Sequence, residues 1–318
     1  MALIKTQVIS AHEDGAITRV VEQLIAGNLV AVPTETVYGL AADALNHVAV
    51  QHIFEAKGRP ANNPLICHVA DIAMAQRYVV VINIAEKLMK AFWPGPLTFV
   101  LPKQPNCVIP DIVSAGLSTL AVRCPAHNAA RSVITKLNKP IAAPSANPSG
   151  KLSPTSATDV ANGLDGKVSL ILDGGTTDVG IESTIIGIQN DKITLLRPGT
   201  ITADEISEIA NLPVYDRKDE TITAPGQLKS HYAPEAKVRL NATDKKSGEV
   251  LIGFGSVEGD FTLSKSGDLK EAARSLFATL RAADQMHCTS IAVAPIPNQG
   301  IGIAINDRLN RAAAPRNS

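Results

Sequence analysis

Apolar and polar positions in the first two-thirds of the chain follow two alternating patterns. From Glu13 to Asn28 the apolar residues recur at the spacing of one helix face, which predicts an amphipathic helix ending near Gly27. Between such stretches lie short apolar runs rich in β-branched residues, which predict buried strands. These runs are residues 29–33, 64–69, 98–101, 119–123, 141–143, 170–172 and 183–188.

Further helical patterns separate many of these strands. They occupy residues 48–57, 84–92, 128–137 and 156–164. The alternation predicts one α/β domain around a mostly buried sheet, and it leaves open whether the strands are parallel or mixed. A capping box at Thr202-Ala-Asp-Glu205 opens a short helix, which we expect to close this domain near residue 211.

The pattern changes after Leu212. From Tyr215 the chain becomes polar and contains Pro225-Gly226, a composition typical of a linker. A second unit begins near Val238, with strands predicted at 250–254 and 290–294 and helices at 269–283 and 303–313. We therefore predict a first domain at 1–211, a linker at 212–237 and a small C-terminal α/β domain at 238–318.

Composition limits the kinds of ligand that the protein can attract. The chain of 318 residues is 45% hydrophobic, and its 30 basic and 30 acidic residues give a formal net charge of zero. No overall field therefore draws it to nucleic acid or to a membrane, and any anion site must be local. The four cysteines form no CxxC pair, which favours a reducing compartment and a cytosolic location. No apolar run approaches the ~20 residues that span a bilayer, so no membrane insertion is expected.

The standard motifs of several enzyme classes are absent. The chain has no GxxxxGK[ST], GxSxG or HExxH sequence and no dinucleotide-binding glycine pattern. This argues against P-loop and Rossmann nucleotide sites and against the common hydrolase sites. Polar loops instead follow the apolar strands, which is where α/β proteins usually bind ligands.

Several of these loops carry cations, and each has a plain structural explanation as well. Lys57 and Arg59 flank a glycine, which suits a phosphate, but cations are also favoured at a solvated helix C-terminus. Arg123 ends an apolar strand and needs either an anionic ligand or an internal salt bridge. His68, inside another strand, is more typical of a satisfied core residue.

Hydroxyl and amide groups accompany the cations. They crowd the loop at residues 144–153, and Glu182-Ser-Thr184 and Arg197-Pro-Gly199 lie at further strand ends. A protein that transfers phosphoryl or nucleotidyl groups contributes mainly positioning and neutralisation of charge. Three or four cations among hydroxyl groups, in a chain of zero net charge, therefore predict a site for an anionic, nucleotide-like ligand.

These loops, in this order, resemble the YrdC-like family, in particular the long two-domain form of threonylcarbamoyl-AMP synthase. The similarity runs from Lys5 to about Asn211 through PTETVYGL, KGRPxxNPL, FWPGPLT, AVRCPAH, APSANPSGKLSPT, ESTII and LRPG, and continues as PGQLKSHYAP. The resemblance implies an α/β fold with a YrdC-like open twisted sheet and helices, followed by a linker and a smaller, Rossmann-like α/β domain.

The resemblance also implies an enzyme, a nucleotidyltransferase. L-Threonine and bicarbonate or CO2 form a threonine carbamate, which attacks the α-phosphate of ATP to give threonylcarbamoyl-AMP and pyrophosphate. A threonylcarbamoyl transferase complex then uses this product to form N6-threonylcarbamoyladenosine in tRNA. Mg²⁺ is expected with ATP, and no side chain is expected to ligate a metal.

Site residues follow from the resemblance position by position. Lys57 and Arg59 are expected to be catalytic and to bind the triphosphate. The other expected ATP-binding residues are Asn63, Thr119, Ser145, Asn147, Ser153, Arg197, His231 and Tyr232. The expected threonine pocket consists of Thr36, His68, Arg123, Ala143 and Ser183, with Arg123 facing the carboxylate. His231 and Tyr232 belong to the linker, which is expected to fold over the pocket and exclude water.

Two other functions fit the sequence less well. A double-stranded RNA-binding module would use a basic cavity, but aromatic residues make up only 3% of the chain and no basic stripe is interleaved with them. Weak RNA binding is kept as the alternative. A carbamoyl-transfer domain like that of hydrogenase-maturation proteins would accompany zinc-finger segments, whereas the chain has no CxxC.

Overall fold

The computed structural model describes residues 5–217, 224–226 and 231–315. The first unit contains eleven strands and eight helices among these residues. In chain order they are β1 (Gln7–Ser10), α1 (Ala16–Ile25), β2 (Val30–Val32), β3 (Gly39–Asp43), α2 (His47–Lys57), β4 (Ile66–His68), α3 (Ile72–Gln76), α4 (Asn83–Phe92), β5 (Leu97–Pro102), α5 (Asp111–Ser114), β6 (Thr119–Arg123), α6 (Asn128–Leu137), β7 (Ile141–Ala142), α7 (Ala157–Leu164), β8 (Leu170–Asp173), β9 (Thr184–Gln189), β10 (Lys192–Arg197), α8 (Ala203–Ala210) and β11 (Val214–Asp216).

All eleven strands join one sheet, in the order β1-β8-β2-β3-β7-β4-β6-β5-β9-β10-β11. Parallel pairs such as β4 with β6 alternate with antiparallel pairs such as β5 with β6. The sheet is therefore mixed, which answers the question that the apolar pattern left open. The expected α/β class is confirmed.

Helix α1 shows how the apolar stripe directs packing. Its buried residues are Ala16, Val20, Val21 and Leu24, which follow the predicted face. The helix begins at Ala16, later than the pattern suggested, because Gly15 precedes it in a left-handed conformation with φ 79°. It packs against α6 and the strands beneath it, so one face of the sheet is covered.

The apolar pattern missed strands β1, β3, β10 and β11. Strand β11 pairs in parallel with β10, with Ile193 opposite Val214. The sheet of the first unit thus extends to Asp216, past residue 211 and into the predicted linker. A short, partly exposed edge strand of this kind gains its hydrogen bonds from a neighbour, which its own polar sequence does not reveal.

The second unit has its own small sheet. It contains β12 (Lys237–Arg239), β13 (Glu249–Gly253), β14 (Phe261–Thr262), α9 (Leu269–Asp284), β15 (Ser290–Val293) and α10 (Ile301–Ala313). The four strands are all parallel, in the order β12-β15-β13-β14. This agrees with the predicted small α/β unit. Within the described ranges no helix is both long and apolar enough to cross a membrane.

The two units share an apolar cluster. Val37, Leu152 and Ile181 from the first unit pack with Leu276 and Phe277 of the second. The backbones come close at Gly180, since a Cβ there would lie 2.4 Å from the Arg274 Cα. The second unit therefore rests on the loops that carry the polar motifs.

Candidate active site

Most of the predicted site residues line one cavity at the ends of the central strands. Its lining residues are Thr34, Thr36, Val37, Gly39, Arg59, Ile66, His68, Arg123, Ala143, Pro144, Ser145, Glu182, Ser183, Arg197, Pro225, Gly226, His231 and Tyr232. The free volume of this cavity is only about 50 Å³. Residues 225, 226, 231 and 232 of the predicted linker form part of its wall.

A tight turn shapes the loop between β2 and β3. The Thr34 hydroxyl accepts hydrogen bonds from the backbone N–H groups of Thr36 (3.2 Å) and Val37 (3.3 Å). It donates to the Val37 carbonyl at 2.6 Å and lies 2.8 Å from the Thr36 hydroxyl. Short hydroxyl side chains favour such local turns. The turn fixes the Thr36 hydroxyl at the cavity wall.

Arg123 lies at the end of β6, directly beside His68 of β4 in the parallel register. Its Nη1 donates to the Thr36 hydroxyl at 2.9 Å, and its Nε donates to the Gly95 carbonyl at 3.2 Å. Its Nη2 lies 2.7 Å from Oε1 of Glu35, which is also buried. The internal salt bridge considered for this arginine is thus present. A guanidinium has five N–H donors, so donors remain for a ligand carboxylate.

His68 is held neutral beside this arginine. Burial and the Arg123 charge lower the pKa of His68 well below its usual value. Its Nδ1 has no hydrogen-bond partner within the described part of the chain. The imidazole can therefore offer a neutral donor or acceptor to a ligand in the cavity.

The KGRP loop follows helix α2. Gly58 ends the helix with φ 60°, a left-handed conformation that glycine adopts readily. Arg59 then donates from Nε to the Asn63 carbonyl (3.1 Å) and from Nη2 to Asn63 Oδ1 (2.7 Å) and the Pro64 carbonyl (2.8 Å). Lys57 is only 4% exposed and Arg59 9%, so the alternative of a solvated helix end is wrong.

Lys57 points into the neighbouring loop and is not among the cavity-lining residues. Its Nζ donates to the backbone carbonyls of Ser145 and Asn147. The Asn147 amide in turn donates to the carbonyls of Pro148 and Lys151, both at 2.8 Å. These bonds hold the donor-rich loop at residues 144–153 against the end of α2 and present Ser145 to the cavity.

Arg197 enters from β10. Its Nε and Nη2 donate to the Ser183 carbonyl at 3.1 and 2.9 Å, and its Nη1 donates to the Pro225 carbonyl at 3.3 Å. The Ser183 hydroxyl lies 2.8 Å from the Thr98 hydroxyl. Arg197 therefore connects Ser183, the residue before strand β9, with the described piece of linker at 224–226.

Lys57, Arg59 and Arg197 are buried cations to which the described residues offer no acidic partner. In the described residues, none of the three has a carboxylate oxygen within 4.0 Å. Burial and the Arg59 charge lower the pKa of Lys57 well below its usual value, and burial lowers the pKa of Arg59 to about 9. Buried charges normally require an opposite charge, so this cluster calls for an anion.

Two linker residues cover the cations. The His231 N–H donates to the Arg311 carbonyl at 3.3 Å, and the Ala233 N–H donates to the Gly150 carbonyl at 2.8 Å. The Tyr232 ring packs on Phe277, with ring centres 5.4 Å apart. Burial and the Arg59, Lys57 and Arg197 charges lower the pKa of His231 well below its usual value. The predicted linker also includes 218–223 and 227–230, which lie outside the described residues.

Comparison with known proteins decides the family. Residues 22–199 match the model of Sua5, YciO and YrdC proteins, which is described as "Telomere recombination". Residues 201–314 match the model described as "Threonylcarbamoyl-AMP synthase, C-terminal domain". The chain belongs to the Sua5/YciO/YrdC family. The two matches together support its long, two-domain form.

Relatives of this Sua5-family chain match it over nearly their whole length. The threonylcarbamoyl-AMP synthase of Pyrococcus abyssi is 43% identical, over 91% of this chain and 92% of the relative. The synthase of Bacillus subtilis is 39% identical, over 95% of this chain and 94% of the relative. The crystal structure of P. abyssi Sua5 complexed with L-threonine superposes with a TM-score of 0.87, at 40% identity and 97% coverage of both chains.

Some residues that the resemblance assigned do not line the cavity of this family member. They are Lys57, Asn63, Thr119, Asn147 and Ser153. Thr119 begins β6, so it lies about 13 Å along the strand from Arg123. Ser153 instead donates to Oε1 of Glu182 at 2.5 Å. Their roles toward ATP stay predictions.

Other site residues were not identified from the sequence. Glu35 and Glu182 stand inside recognised motifs but received no role, and Arg308 comes from the second unit. Arg308 lies on the buried stripe of α10 with Ala304, Ile305 and Leu309. An arginine at an apolar position of a helix was the available signal.

Proposed function

We infer that this chain is a threonylcarbamoyl-AMP synthase, a nucleotidyltransferase that converts L-threonine, bicarbonate or CO2, and ATP into threonylcarbamoyl-AMP and pyrophosphate. Identity of 39–43% with synthases over more than nine-tenths of the chain supports this inference. One structural observation carries it. Three buried cations, which have no carboxylate partner in the described part of the chain, adjoin a cavity that also holds the expected threonine residues.

The threonine end of the cavity would be formed by Thr36, His68, Arg123, Ala143 and Ser183. Arg123 keeps N–H donors for the amino-acid carboxylate, while Glu35 prevents it from standing as an isolated charge. Neutral His68 and the Ser183 hydroxyl would bind the polar groups of the substrate without adding charge. The P. abyssi Sua5 bound to L-threonine has the same overall fold.

The phosphate end would be formed by Arg59 and Arg197, with Lys57 behind them. The carbamate oxygen attacks the α-phosphorus of ATP, and the bond from that phosphorus to the bridging oxygen of the β-phosphate breaks. Negative charge develops on the departing pyrophosphate, where fixed cations stabilise it most. Ser145 would donate from the cavity wall. Thr119, Asn63, Asn147 and Ser153 keep their expected nucleotide roles as part of this proposal.

His231 and Tyr232 would close the site during the reaction. The threonine carbamate and the mixed anhydride with AMP are both labile in water, so a closed cavity protects them. Because the present free space is about 50 Å³, the linker residues that line it, His231 and Tyr232 among them, would move to admit ATP. Removal of the linker should therefore lower both product yield and substrate affinity.

Mg²⁺ is proposed to arrive with ATP. Among the described residues no group of three or more His, Cys, Asp or Glu side chains could hold a metal ion. An all-protein magnesium site does not fit this part of the chain. The ion would be held by the phosphates and waters, as is common for Mg²⁺ with nucleotides, and we assign no step to it.

The product is proposed to pass to a threonylcarbamoyl transferase complex that modifies tRNA. A cytosolic location belongs to the same proposal, because ATP, tRNA and reduced thiols are found together there. All four cysteines are free.

Pyrophosphate release from ATP tests the proposed function. The purified protein is assayed with Mg²⁺, with and without L-threonine and bicarbonate, and with L-serine as a control. Release that requires both threonine and bicarbonate is expected. Some release with serine is also expected, since a pocket for one methyl group adds only ~1–3 kcal/mol of discrimination. A folded protein whose pyrophosphate release ignores threonine would contradict the proposal and favour the RNA-binding alternative, which a salt-dependent RNA shift would then test.

A further inference from the structure

Glu182 is the one carboxylate that lines the described cavity beside Arg59 and Arg197. It is 7% exposed, and both its oxygens are occupied. Oε1 accepts from the Ser153 hydroxyl, and Oε2 accepts from Arg308 Nε at 3.0 Å. Although burial alone would raise it, the charges of Arg308 and Arg197 hold the pKa of Glu182 below its ordinary value. Glu182 is therefore an anion inside an anion-binding cavity.

Arg308 reaches Glu182 from helix α10 of the second unit and is fully buried. Its Nη1 donates to the Pro198 carbonyl (2.7 Å) and to Asp307 Oδ2 (2.9 Å), and its Nη2 donates to the Glu182 carbonyl (3.3 Å). The guanidinium also lies 5.6 Å from the centre of the Tyr232 ring. One side chain thus joins the cavity wall, the linker and the second unit.

The charge balance of the cavity gives this contact a consequence for ligand binding. Arg197 holds the backbone of Ser183, the next residue after Glu182, and has no carboxylate within 4.0 Å in the described structure. A Glu182 released from Arg308 would be a buried anion in need of a new cation. Of the two unpaired arginines that line the cavity, Arg197 is the one whose charge already acts on Glu182. An ion pair between Glu182 and Arg197 would then compete with the phosphates of a ligand for the Arg197 guanidinium.

We propose that Arg308 is a positioning residue that holds Glu182 away from Arg197, so that the second unit sets the affinity of the cavity for phosphates. This inference rests on the proposed function only in naming ATP as the ligand. It assigns the C-terminal unit a direct electrostatic effect on the site, in addition to its packing against the linker.

The dissociation constant for ATP, measured by calorimetry without threonine, tests this inference. Arg308→Met should weaken ATP binding about tenfold or more, within the usual range of coupling between sites. Glu182→Gln in the Arg308→Met background should restore most of the affinity, because a neutral amide cannot neutralise Arg197. A purely structural role of Arg308 would give no such rescue. Weakened binding without rescue, or unchanged binding, would overturn the inference.

Arg274→Met is the matched control, since Arg274 also lies on the second unit and forms a long, exposed contact of 3.9 Å with Asp178. This substitution removes a charged contact between the two units and leaves the surroundings of Glu182 intact. The dissociation constant for ATP should therefore be unchanged. If Arg274→Met weakened ATP binding as much as Arg308→Met, the effect would be general loosening and the inference would fail.

Loss of folding in Arg308→Met does not end the test. Glu182→Gln and Arg308→Met/Glu182→Gln leave no buried carboxylate at this position, and these two variants should then bind ATP equally. A further large loss of ATP affinity in the double variant would overturn the inference. Absence of threonine-dependent pyrophosphate release in the wild type would instead count against the proposed function alone, because the binding comparison does not depend on turnover.

Discussion

Buried cations in this protein fall into two sets with different surroundings. Arg123 and Arg308 each have a buried carboxylate close by, Glu35 at 2.7 Å and Glu182 at 3.0 Å. Lys57, Arg59 and Arg197 have none within 4.0 Å among the described residues. All five are less than one-tenth exposed, so burial does not separate the sets. The presence of an acidic partner does.

The pKa values of Arg308 and Arg197 show the same contrast. Although burial alone would lower it, Tyr232, Glu182 and Asp307 raise the pKa of Arg308 above its ordinary value. Burial lowers the pKa of Arg197, and the Arg308 charge lowers it further, although Tyr232 and Glu182 act in the opposite direction. A paired cation is stabilised by the fold itself, whereas an unpaired one is stabilised when an anion binds. We therefore treat the ion pairs of the paired set as support for the fold, with Arg123 keeping further N–H donors for the threonine carboxylate, and the unpaired set as the phosphate site.

The paired set should dominate stability. Arg123→Met should lower the free energy of unfolding by ~3–5 kcal/mol, because it leaves Glu35 buried without its cation. The double variant Arg123→Met/Glu35→Gln should recover much of that loss. Urea denaturation measures both. Equal losses in the single and double variants would show that the ion pair does not explain the stability of this region.

The unpaired set should dominate activity. Arg59→Ala should lower kcat/KM about 100- to 1000-fold, equivalent to ~2.7–4 kcal/mol, since a charge that stabilises the transition state is lost. Lys57→Ala should also lower turnover sharply, partly because the loop at residues 144–153 loses two hydrogen bonds. Pyrophosphate release gives the rates, and Arg77→Ala, an exposed arginine, is the control. Wild-type rates in either Lys57→Ala or Arg59→Ala would refute the phosphate assignment.

Acid should lower the free energy of unfolding, because two buried histidines of the cavity resist protonation. The pKa values of His68 and His231 are lowered in the folded protein, so the unfolded chain binds their protons first as pH falls below about 6.5. Stability should then fall by ~1.4 kcal/mol per pH unit for each histidine. His231→Gln should remove the contribution of one histidine to the pH dependence of the free energy of unfolding. Urea denaturation between about pH 5 and 7 measures this dependence. An unchanged slope would contradict the buried, neutral state of His231.

Replacement of a glycine that has a positive φ should give the smallest effect on activity. Gly226 has φ 80°, and a Cβ there would lie 2.9 Å from Arg197 Nη1 and 3.0 Å from the Tyr232 hydroxyl. Gly226→Ala should disfavour the closed linker by ~1–2 kcal/mol and raise the KM for ATP correspondingly. Gly116, with φ 76° and nothing within 4 Å of an added Cβ, is the matched control. Gly116→Ala should cost stability but leave that KM unchanged.

The local sequence identifies several of these cations, but it does not show which of them have an acidic partner. Strand–loop motifs identified Arg59, Arg123 and Arg197 as candidate ligand-binding residues. The apolar periodicity of the sequence identified helices α1 and α6. Whether a cation is paired depends on contacts between distant residues. Arg308 and Glu182 are 126 residues apart in the chain, and the order of strands in the mixed sheet sets the place of Arg123. Neither follows from a local pattern.

Binding of inorganic tripolyphosphate tests the central claim most directly, because this anion has the charge of the triphosphate without base or ribose. Calorimetry on the wild type, Arg59→Ala and the control Arg77→Ala gives the comparison. We predict binding by the wild type and by Arg77→Ala that weakens with salt, and at least ~10-fold weaker binding by Arg59→Ala. Equal binding by all three proteins, or none by the wild type, would contradict the assignment of the unpaired cations to phosphate.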